Sequence, residues 1–114
     1  MRFAVPLTLV ALMVAAGPMK AAPISKVKAA RLAFLAELAP HSCSEFQADL
    51  SSQAAWMVAS ELRHADLFRT NQYGIDIVEE LQKFESDMTK DGPEETCKKV
   101  YNLLGPNGFG LVKP

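Results

Sequence analysis

Residues 75–104, IDIVEELQKFESDMTKDGPEETCKKVYNLL, decide the fold of this chain. In the first half of this stretch the apolar residues recur at helical spacing, which predicts an amphipathic helix over residues 75–89. In the second half Pro93 suits the first position of a new helix, and Gly105 followed by Pro106 is a typical helix end. Two successive helices therefore indicate a helical fold. The apolar face of the first helix consists of Ile77, Leu81, Phe84 and Met88.

The beginning of the mature region also has a helical pattern. Ser25 can cap a helix over residues 25–39, and Pro40 would stop it. We interpret the basic early part of this helix as a solvated face, which consists of Lys26, Lys28 and Arg31.

A second helical region is predicted to begin at Ser42, because Ser42 and Glu45 have the spacing of a capping box. This placement puts Cys43 in the first turn of a helix. A break at Ser51-Ser52, with a further helix over residues 53–66, is the alternative to one continuous helix. The apolar stripe that we expect to face the core consists of Phe46, Leu50, Ala54, Met57, Val58, Ala65 and Phe68.

Together these patterns predict an all-α fold, a small bundle of about four to five short helices stapled by one disulfide. No stretch alternates polar and apolar residues over the length of a useful strand. The C-terminal tail, residues 107–114, contains glycine, proline and three apolar residues, and it is either docked on the bundle or frayed.

The first residues have the composition of a cleavable signal peptide. Arg2 precedes an apolar run over residues 3–16, which is shorter than the roughly 20 residues needed to span a bilayer. Small residues follow, so we predict a signal peptide in residues 1–22, with the cut between residues 16 and 23. An uncleaved membrane anchor is the alternative. The remaining residues 23–114 suit a single helical domain, exported to the periplasm or, as a second option, to the extracellular space.

Charge limits the partners of the mature chain. Removing residues 1–22 takes away Arg2 and Lys20 and no acid, so the formal charge falls from −1 to −3. A mildly acidic domain is not expected to bind nucleic acid. No later stretch is apolar enough to span a membrane, so we expect no stable membrane insertion after processing. A protein partner or a homodimer is the remaining option.

The chain has two cysteines, Cys43 and Cys97. In an exported protein an even number of cysteines suggests a disulfide. The alternatives are a reduced pair or a metal site, but no CxxC or nearby CxxH pattern favours zinc. Because redox-active cysteines are normally close in sequence, we interpret this pair as a structural bridge.

No pattern for catalysis, cofactor binding or a metal centre stands out. His41 and His64 are far apart, and no serine lies in the context of a nucleophile elbow. The HExxH pattern of metalloproteases and the glycine-rich phosphate loop are absent from the sequence. We therefore expect no enzyme activity, no cofactor and no metal, and interpret both histidines as surface or capping residues.

Glu61 falls inside the predicted apolar stripe, between Met57 and Ala65. Burial of a carboxylate is costly unless the group is paired or protonated. One interpretation is that the helix is broken or rotated at this point, so that Glu61 reaches solvent or an arginine. The other is an acid that faces a ligand or senses pH.

Trp56 is the only tryptophan, and it lies on the side of the predicted helix away from the stripe, near Arg63. If the stripe faces the core, Trp56 is left for a second packing surface, on another helix of the domain or on a partner protein. Aromatic and arginine side chains are common anchors of interfaces. The candidate partner or ligand contacts are therefore Trp56, Glu61 and Arg63.

The sequence around the first cysteine resembles the small periplasmic acid-stress chaperones of the HdeA family. The shared pattern is Cys43-Ser44-Glu45-Phe46, with Cys97 as the distant second cysteine. The resemblance implies a helical fold with one disulfide, Phe46 in the core, and a homodimer that dissociates in acid and exposes apolar surface to client proteins. The chain departs from that family in a longer segment between the cysteines and in a different C-terminal end.

We predict an exported, non-enzymatic protein that acts through protein–protein contacts, as a stress or chaperone-like factor. The alternative is a small periplasmic binding module for an apolar ligand, held between helices by Met57, Phe84 and Met88.

Overall fold

The computed structural model describes residues 24–114, and the predicted signal peptide lies outside these residues. In this part of the chain the α-helices are α1 (Lys26–Leu38), α2 (Leu50–Ala59), α3 (Gly74–Asp91) and α4 (Pro93–Leu104). Short 3-10 helices cover Ala39–His41 and His64–Leu67. Strands β1 (Gln47–Ala48) and β2 (Val112–Lys113) pair antiparallel. The prediction of a small all-α bundle stapled by one disulfide is confirmed.

Helix α1 is the centre of the bundle. It begins as predicted, because the backbone N–H of Lys28 donates a hydrogen bond to Ser25 Oγ at 3.1 Å. Pro40 lies in the 3-10 turn that follows Leu38. Short alanine side chains let α1 contact neighbours on several sides, and a helix that is apolar on several sides is expected to be buried. Its buried residues are Ala29, Ala30, Leu32, Ala33, Leu35 and Ala36.

Helices α3 and α4 form the predicted pair. They meet at Gly92, whose φ of 89° is a left-handed conformation that glycine adopts without strain, and Pro93 begins α4. The Thr96 hydroxyl, which is buried, donates a hydrogen bond to the carbonyl of Asp87 at 2.9 Å. This bond ties the first turns of α4 to the last turns of α3.

The predicted helix start at Ser42 is wrong. Cys43 lies in the irregular segment that follows the 3-10 helix, and its N–H donates to the carbonyl of Ala39 at 2.8 Å. Helix α2 begins later, because Asp49 accepts a hydrogen bond from the N–H of Ser52 at 3.2 Å and caps it. The residues between this segment and the cap form β1, whose register with β2 is Gln47↔Lys113 and Ala48↔Val112.

The predicted apolar stripe is interrupted at Ser60 and not at Ser51-Ser52, which lie in the first turn of α2. Glu61 has a φ of 57°, its N–H donates to the carbonyl of Val58, and the N–H of Leu62 donates to the carbonyl of Met57. This pair of bonds is the Schellman ending of a helix, whose left-handed position is usually glycine. The chain therefore leaves the helix before Glu61.

The core consists of two clusters that share α1. The first cluster surrounds the disulfide, and the second packs beneath the connector between α2 and α3. The disulfide joins Cys43 and Cys97 and so staples the irregular segment after α1, and not the start of a second helix, to α4. Buried residues of the first cluster include Leu32, Leu35, Phe46, Phe84, Val100, Leu104, Leu111 and Val112; those of the second are Ala29, Ala30, Ala33, Leu62, Leu67 and Ile77.

The C-terminal tail is docked on the bundle. Leu111 and Val112 are buried, and the carbonyl of Leu111 accepts hydrogen bonds from the N–H of Asp49 at 3.2 Å and from Gln53 Nε2 at 2.8 Å. The tail thus completes the first core cluster and holds the start of α2. Among the described helices, none has the length and apolar character needed to cross a membrane.

Candidate functional site: two apolar surfaces

Trp56 faces the interior of its own domain. Its indole Nε1 donates a hydrogen bond to the carbonyl of Ala29 in α1 at 3.1 Å, and its ring packs edge-on against Phe109 with centroids 5.5 Å apart. Of the two surfaces considered for Trp56, the structure shows the one within the domain. Trp56 therefore positions α2 against α1.

Arg63 and Asp66 organise the 3-10 helix that follows α2. The N–H of Arg63 donates to Asp66 Oδ2 at 2.9 Å, and its guanidinium lies 3.4 Å from Asp66 Oδ1. Gln72 Nε2 donates to the same Oδ1 at 3.1 Å. These bonds, first that from the Arg63 backbone and then that from Gln72, hold the pKa of Asp66 below its ordinary value. The buried acid of the domain is thus Asp66, which the sequence did not single out.

Glu61 is exposed, with 81% of its side-chain surface accessible, and its carboxylate lies 3.7 Å from Lys26 Nζ. This is the interpretation in which the helix is broken and the acid reaches solvent. Glu61 and Arg63 both lie on the surface, on either side of the buried Leu62, and their role as contacts to a partner or ligand stays a prediction.

The three residues expected to hold an apolar ligand do not line one cavity. Met57 packs against the second core cluster, whereas Phe84 is buried in the first cluster and Met88 packs against it. They act as core residues of two separate clusters.

The side of α2 away from α1 is apolar and uncovered in the described chain. Leu50 and Val58 are 74% and 78% exposed, and none of the ten residues of α2 is buried. The predicted orientation of α2 is therefore wrong, since this part of the stripe faces solvent and Trp56 faces inward. The outer face of α2, as we call this surface, consists of Leu50, Ala54, Ala55, Val58 and Ala59.

A second apolar surface is a groove between α1 and α3. It has a volume of about 460 Å³ and is closed on one side by the connector that follows the second 3-10 helix. Phe68, at its edge, is 51% exposed. The α1–α3 groove is lined by Phe34, Leu38, Leu67, Phe68, Arg69, Thr70, Ile77 and Leu81.

An ionic cluster also lies between α1 and α3. The guanidinium of Arg31 is 3.1 Å from Glu80, 3.2 Å from Glu79 and 3.5 Å from Asp76. The hydrogen bond to Glu80 raises the pKa of Arg31 above its ordinary value. The expectation that Arg31 belongs to a solvated face is wrong, because its side chain is only 28% exposed and links two helices.

The one group of possible metal ligands in residues 24–114 contains the two cysteines of the disulfide. Within residues 24–114, the sulfur atoms of Cys43 and Cys97 and a carboxylate oxygen of Glu45 lie within 4.8 Å of one another. Because the two sulfur atoms are bonded to each other, they do not serve as thiolate ligands.

In comparisons with known proteins, no family model, no curated protein and no solved structure matches the chain.

Proposed function

We propose that this protein acts through protein–protein contacts, without catalysis, and that the outer face of α2 is the contact surface. The observation that carries the proposal is the orientation of α2. A surface helix normally turns its polar side to solvent, whereas α2 has no charged residue and turns Leu50 and Val58 outward.

Residues on the inner side of α2 bond to the rest of the domain, which supports the outer face of α2 as the contact surface. Trp56 bonds to α1, and Gln53 bonds to the tail and approaches the carbonyl of Ala36 at 3.4 Å. Rotation of α2 to bury Val58 would break these bonds. The apolar outer face is therefore a fixed feature of the folded domain, and uncovered apolar surfaces of this kind often mark interaction sites.

We further propose that the protein is exported, with the periplasm as its compartment. The predicted signal peptide and the Cys43–Cys97 disulfide support this proposal, because disulfides persist in oxidising compartments. The resemblance to the HdeA family supports a stress or chaperone-like role, in which the outer face of α2 would contact client proteins or a second copy of the chain.

The test compares Val58→Glu with Ile75→Glu. Both residues are β-branched and 78% exposed, but Ile75 lies in the first turn of α3 and away from the outer face of α2. A charge on the contact surface should oppose association. The readouts are sedimentation velocity of the processed protein and its suppression of the aggregation of heat-denatured citrate synthase.

We expect the unmodified protein to self-associate or to suppress aggregation, Val58→Glu to lose that property, and Ile75→Glu to keep it. A protein that stays monomeric and does not protect the client contradicts the proposal, as does equal loss in both variants.

A further inference from the structure

The α1–α3 groove is a second site, on another part of the molecule from the outer face of α2. Its volume of about 460 Å³ falls within the range of roughly 300–1,000 Å³ typical of small-molecule sites. The floor is apolar, since Leu67, which lines it, is buried.

The walls of the groove are two apolar rows. Phe34 and Leu38 are four residues apart on α1, and Ile77 and Leu81 are four residues apart on α3, so each pair lies on one side of its helix. Phe34, Leu38 and Leu81 are only half-buried. Two such rows on neighbouring helices form an apolar trough of about one helical turn, roughly 6 Å, which can hold part of a hydrocarbon chain.

Phe68 forms the edge of the trough and is held in place. Its ring packs edge-on against His64 with centroids 5.5 Å apart, and His64 Nε2 lies 3.2 Å from the carboxylate of Glu37 on α1. The connector is thereby attached to α1 at this edge. The contact also engages the carboxylate of Glu37, the residue next to Leu38.

Arg69 is the cationic residue among those that line the groove, and it also lines a neighbouring surface pocket with Glu79. Arg31 and Arg63 each lie within 4 Å of a carboxylate, but within residues 24–114 Arg69 has no carboxylate at that distance. The backbone of Gly74 approaches the carbonyl oxygen of Arg69 so closely that a Cβ atom at residue 74 would collide with it. Thr70 lines the groove beside it.

From these observations we propose that the α1–α3 groove binds a long-chain monocarboxylate, with its hydrocarbon chain along the trough and its carboxylate on Arg69 and Thr70. An arginine fork pairs well with a carboxylate, and charge complementarity at one place on an apolar trough selects an anionic amphiphile over a neutral or cationic one. The site uses no residue of the outer face of α2 and is independent of the proposed contacts there.

The experiment measures binding of dodecanoate, below its micelle concentration, to the processed protein by titration calorimetry. Dodecanol and dodecyltrimethylammonium are the neutral and cationic comparisons. We expect one saturable dodecanoate site and weak or no binding of the cationic amphiphile. Arg69→Gln should weaken dodecanoate binding about tenfold or more, since a charged hydrogen bond is lost, and should leave dodecanol binding nearly unchanged.

Two variants complete the test. Leu81→Glu places a charge in the trough and should abolish binding of dodecanoate and dodecanol, with circular dichroism and the melting temperature showing that it is folded. Lys90→Gln removes a positive charge elsewhere on α3, where Lys90 is exposed, and should leave dodecanoate binding unchanged. If Leu81→Glu does not fold, Leu38→Gln takes its place.

The proposal is overturned if dodecanoate does not bind saturably, or if Arg69→Gln and Lys90→Gln weaken binding equally. It is likewise overturned if the cationic amphiphile binds as well as dodecanoate. Binding to phosphatidylglycerol vesicles without binding of dodecanoate would assign the groove to a membrane surface instead. Self-association that depends on Arg69 and excludes dodecanoate would assign it to a second copy of the chain.

Discussion

Helices α2 and α3 both pack against α1, but different kinds of contact hold them there. α3 buries Ile77 and Phe84 and adds the ionic cluster around Arg31. α2 has no fully buried residue, and it is attached by the half-buried side chains of Trp56 and Met57, which pack on the core, and by hydrogen bonds of Trp56 and Gln53. The difference teaches that the apolar character of a helix does not measure how firmly it is held. We therefore expect α2, whose apolar side faces outward, to be released more easily than α3.

Removing the disulfide should lower the stability most, because the bridge holds the chain at the end of α1 to α4, and both α2 and α3 pack against α1. The bridge closes a loop of 54 positions, for which the chain-entropy estimate of stabilisation is about 4 kcal/mol. Cys43→Ala with Cys97→Ala should lower the free energy of unfolding by roughly that amount in urea titrations. Amide exchange should accelerate in α2 and α3 alike. A loss below about 1 kcal/mol would contradict the account.

Truncating Trp56 should release α2 selectively. Trp56→Ala removes the ring that joins α2 to α1 and to Phe109, and we expect a loss of about 3 kcal/mol. Trp56→Phe keeps one aromatic ring but removes the hydrogen bond to Ala29 and part of the packing surface, which should cost about 1–2 kcal/mol. Hydrogen exchange should rise in α2 and stay slow in α3. Equal acceleration in both helices would show that the two attachments are not separate.

Arg31→Met should weaken the attachment of α3 and not that of α2. The variant keeps the apolar stem of the side chain but leaves Asp76, Glu79 and Glu80 without their shared cation. Because the pairs are partly exposed, we expect a loss of about 1–2 kcal/mol that shrinks at high salt. Lys28→Met, at an exposed position of α1, is the control and should change stability by less than about 0.5 kcal/mol. A salt-independent loss would point to packing instead of charge.

The region around α2 should respond to acid through its two flanking carboxylates. The backbone bond from Ser52 lowers the pKa of Asp49, and the backbone bond from Arg63 lowers that of Asp66, both below the ordinary value of 3.8. A lowered pKa means that the carboxylate stabilises the fold above the ordinary value and that this stabilisation disappears as pH falls through the folded-state pKa.

Asp66→Asn should therefore lower the melting temperature at neutral pH, with the difference from wild type vanishing in strong acid. Asp49→Asn is the matched control, because asparagine also caps helices, and it should change the melting temperature less. A difference at Asp66 that persists in strong acid would show that its charge is not the cause.

The smallest effect is expected at Glu61, and it should be favourable. Its φ of 57° is a conformation that suits glycine. Glu61→Gly should stabilise the protein by about 0.5–1 kcal/mol, measured by urea unfolding. Ser60→Gly, at an ordinary right-handed position, should not stabilise it. Destabilisation by Glu61→Gly would mean that the contact with Lys26 outweighs the backbone conformation.

The sequence predicts the buried face of a helix well where charged residues occupy its solvent-facing side. In α3 charged residues alternate with apolar ones at helical spacing, so the sequence predicts its apolar face, of which Ile77 and Phe84 are buried. α2 offers no charge to mark its outer side, and the glycine that usually marks a helix end is replaced by Glu61. The orientation of α2 therefore depends on tertiary contacts, such as those of Trp56 and Gln53, which the spacing of apolar residues does not predict.

The wrong predictions at Ser42 and at Arg31 have the same cause, because in both places the interacting residues are far apart in the sequence. β1 pairs with residues at the C-terminus, 64 positions or more away, as the register Ala48↔Val112 shows. Arg31 meets its acids 45 to 49 positions later. The capping box at Ser42 and the solvated face at Arg31 are predicted from neighbouring residues alone. Both predictions are wrong because the actual partners are distant in sequence and come close only in the folded chain.

The most direct test of the account is the orientation of α2 in solution, measured by methyl NMR with a soluble paramagnetic gadolinium chelate. In dilute protein the methyl signals of Leu50 and Val58 should broaden as strongly as that of the exposed Ile75, while the Trp56 indole stays protected. Protein at high concentration, or with a bound client, should protect Leu50 and Val58 and leave Ile75 exposed. Protected Val58 methyls together with a strongly broadened Trp56 indole in the dilute sample would contradict the central claim.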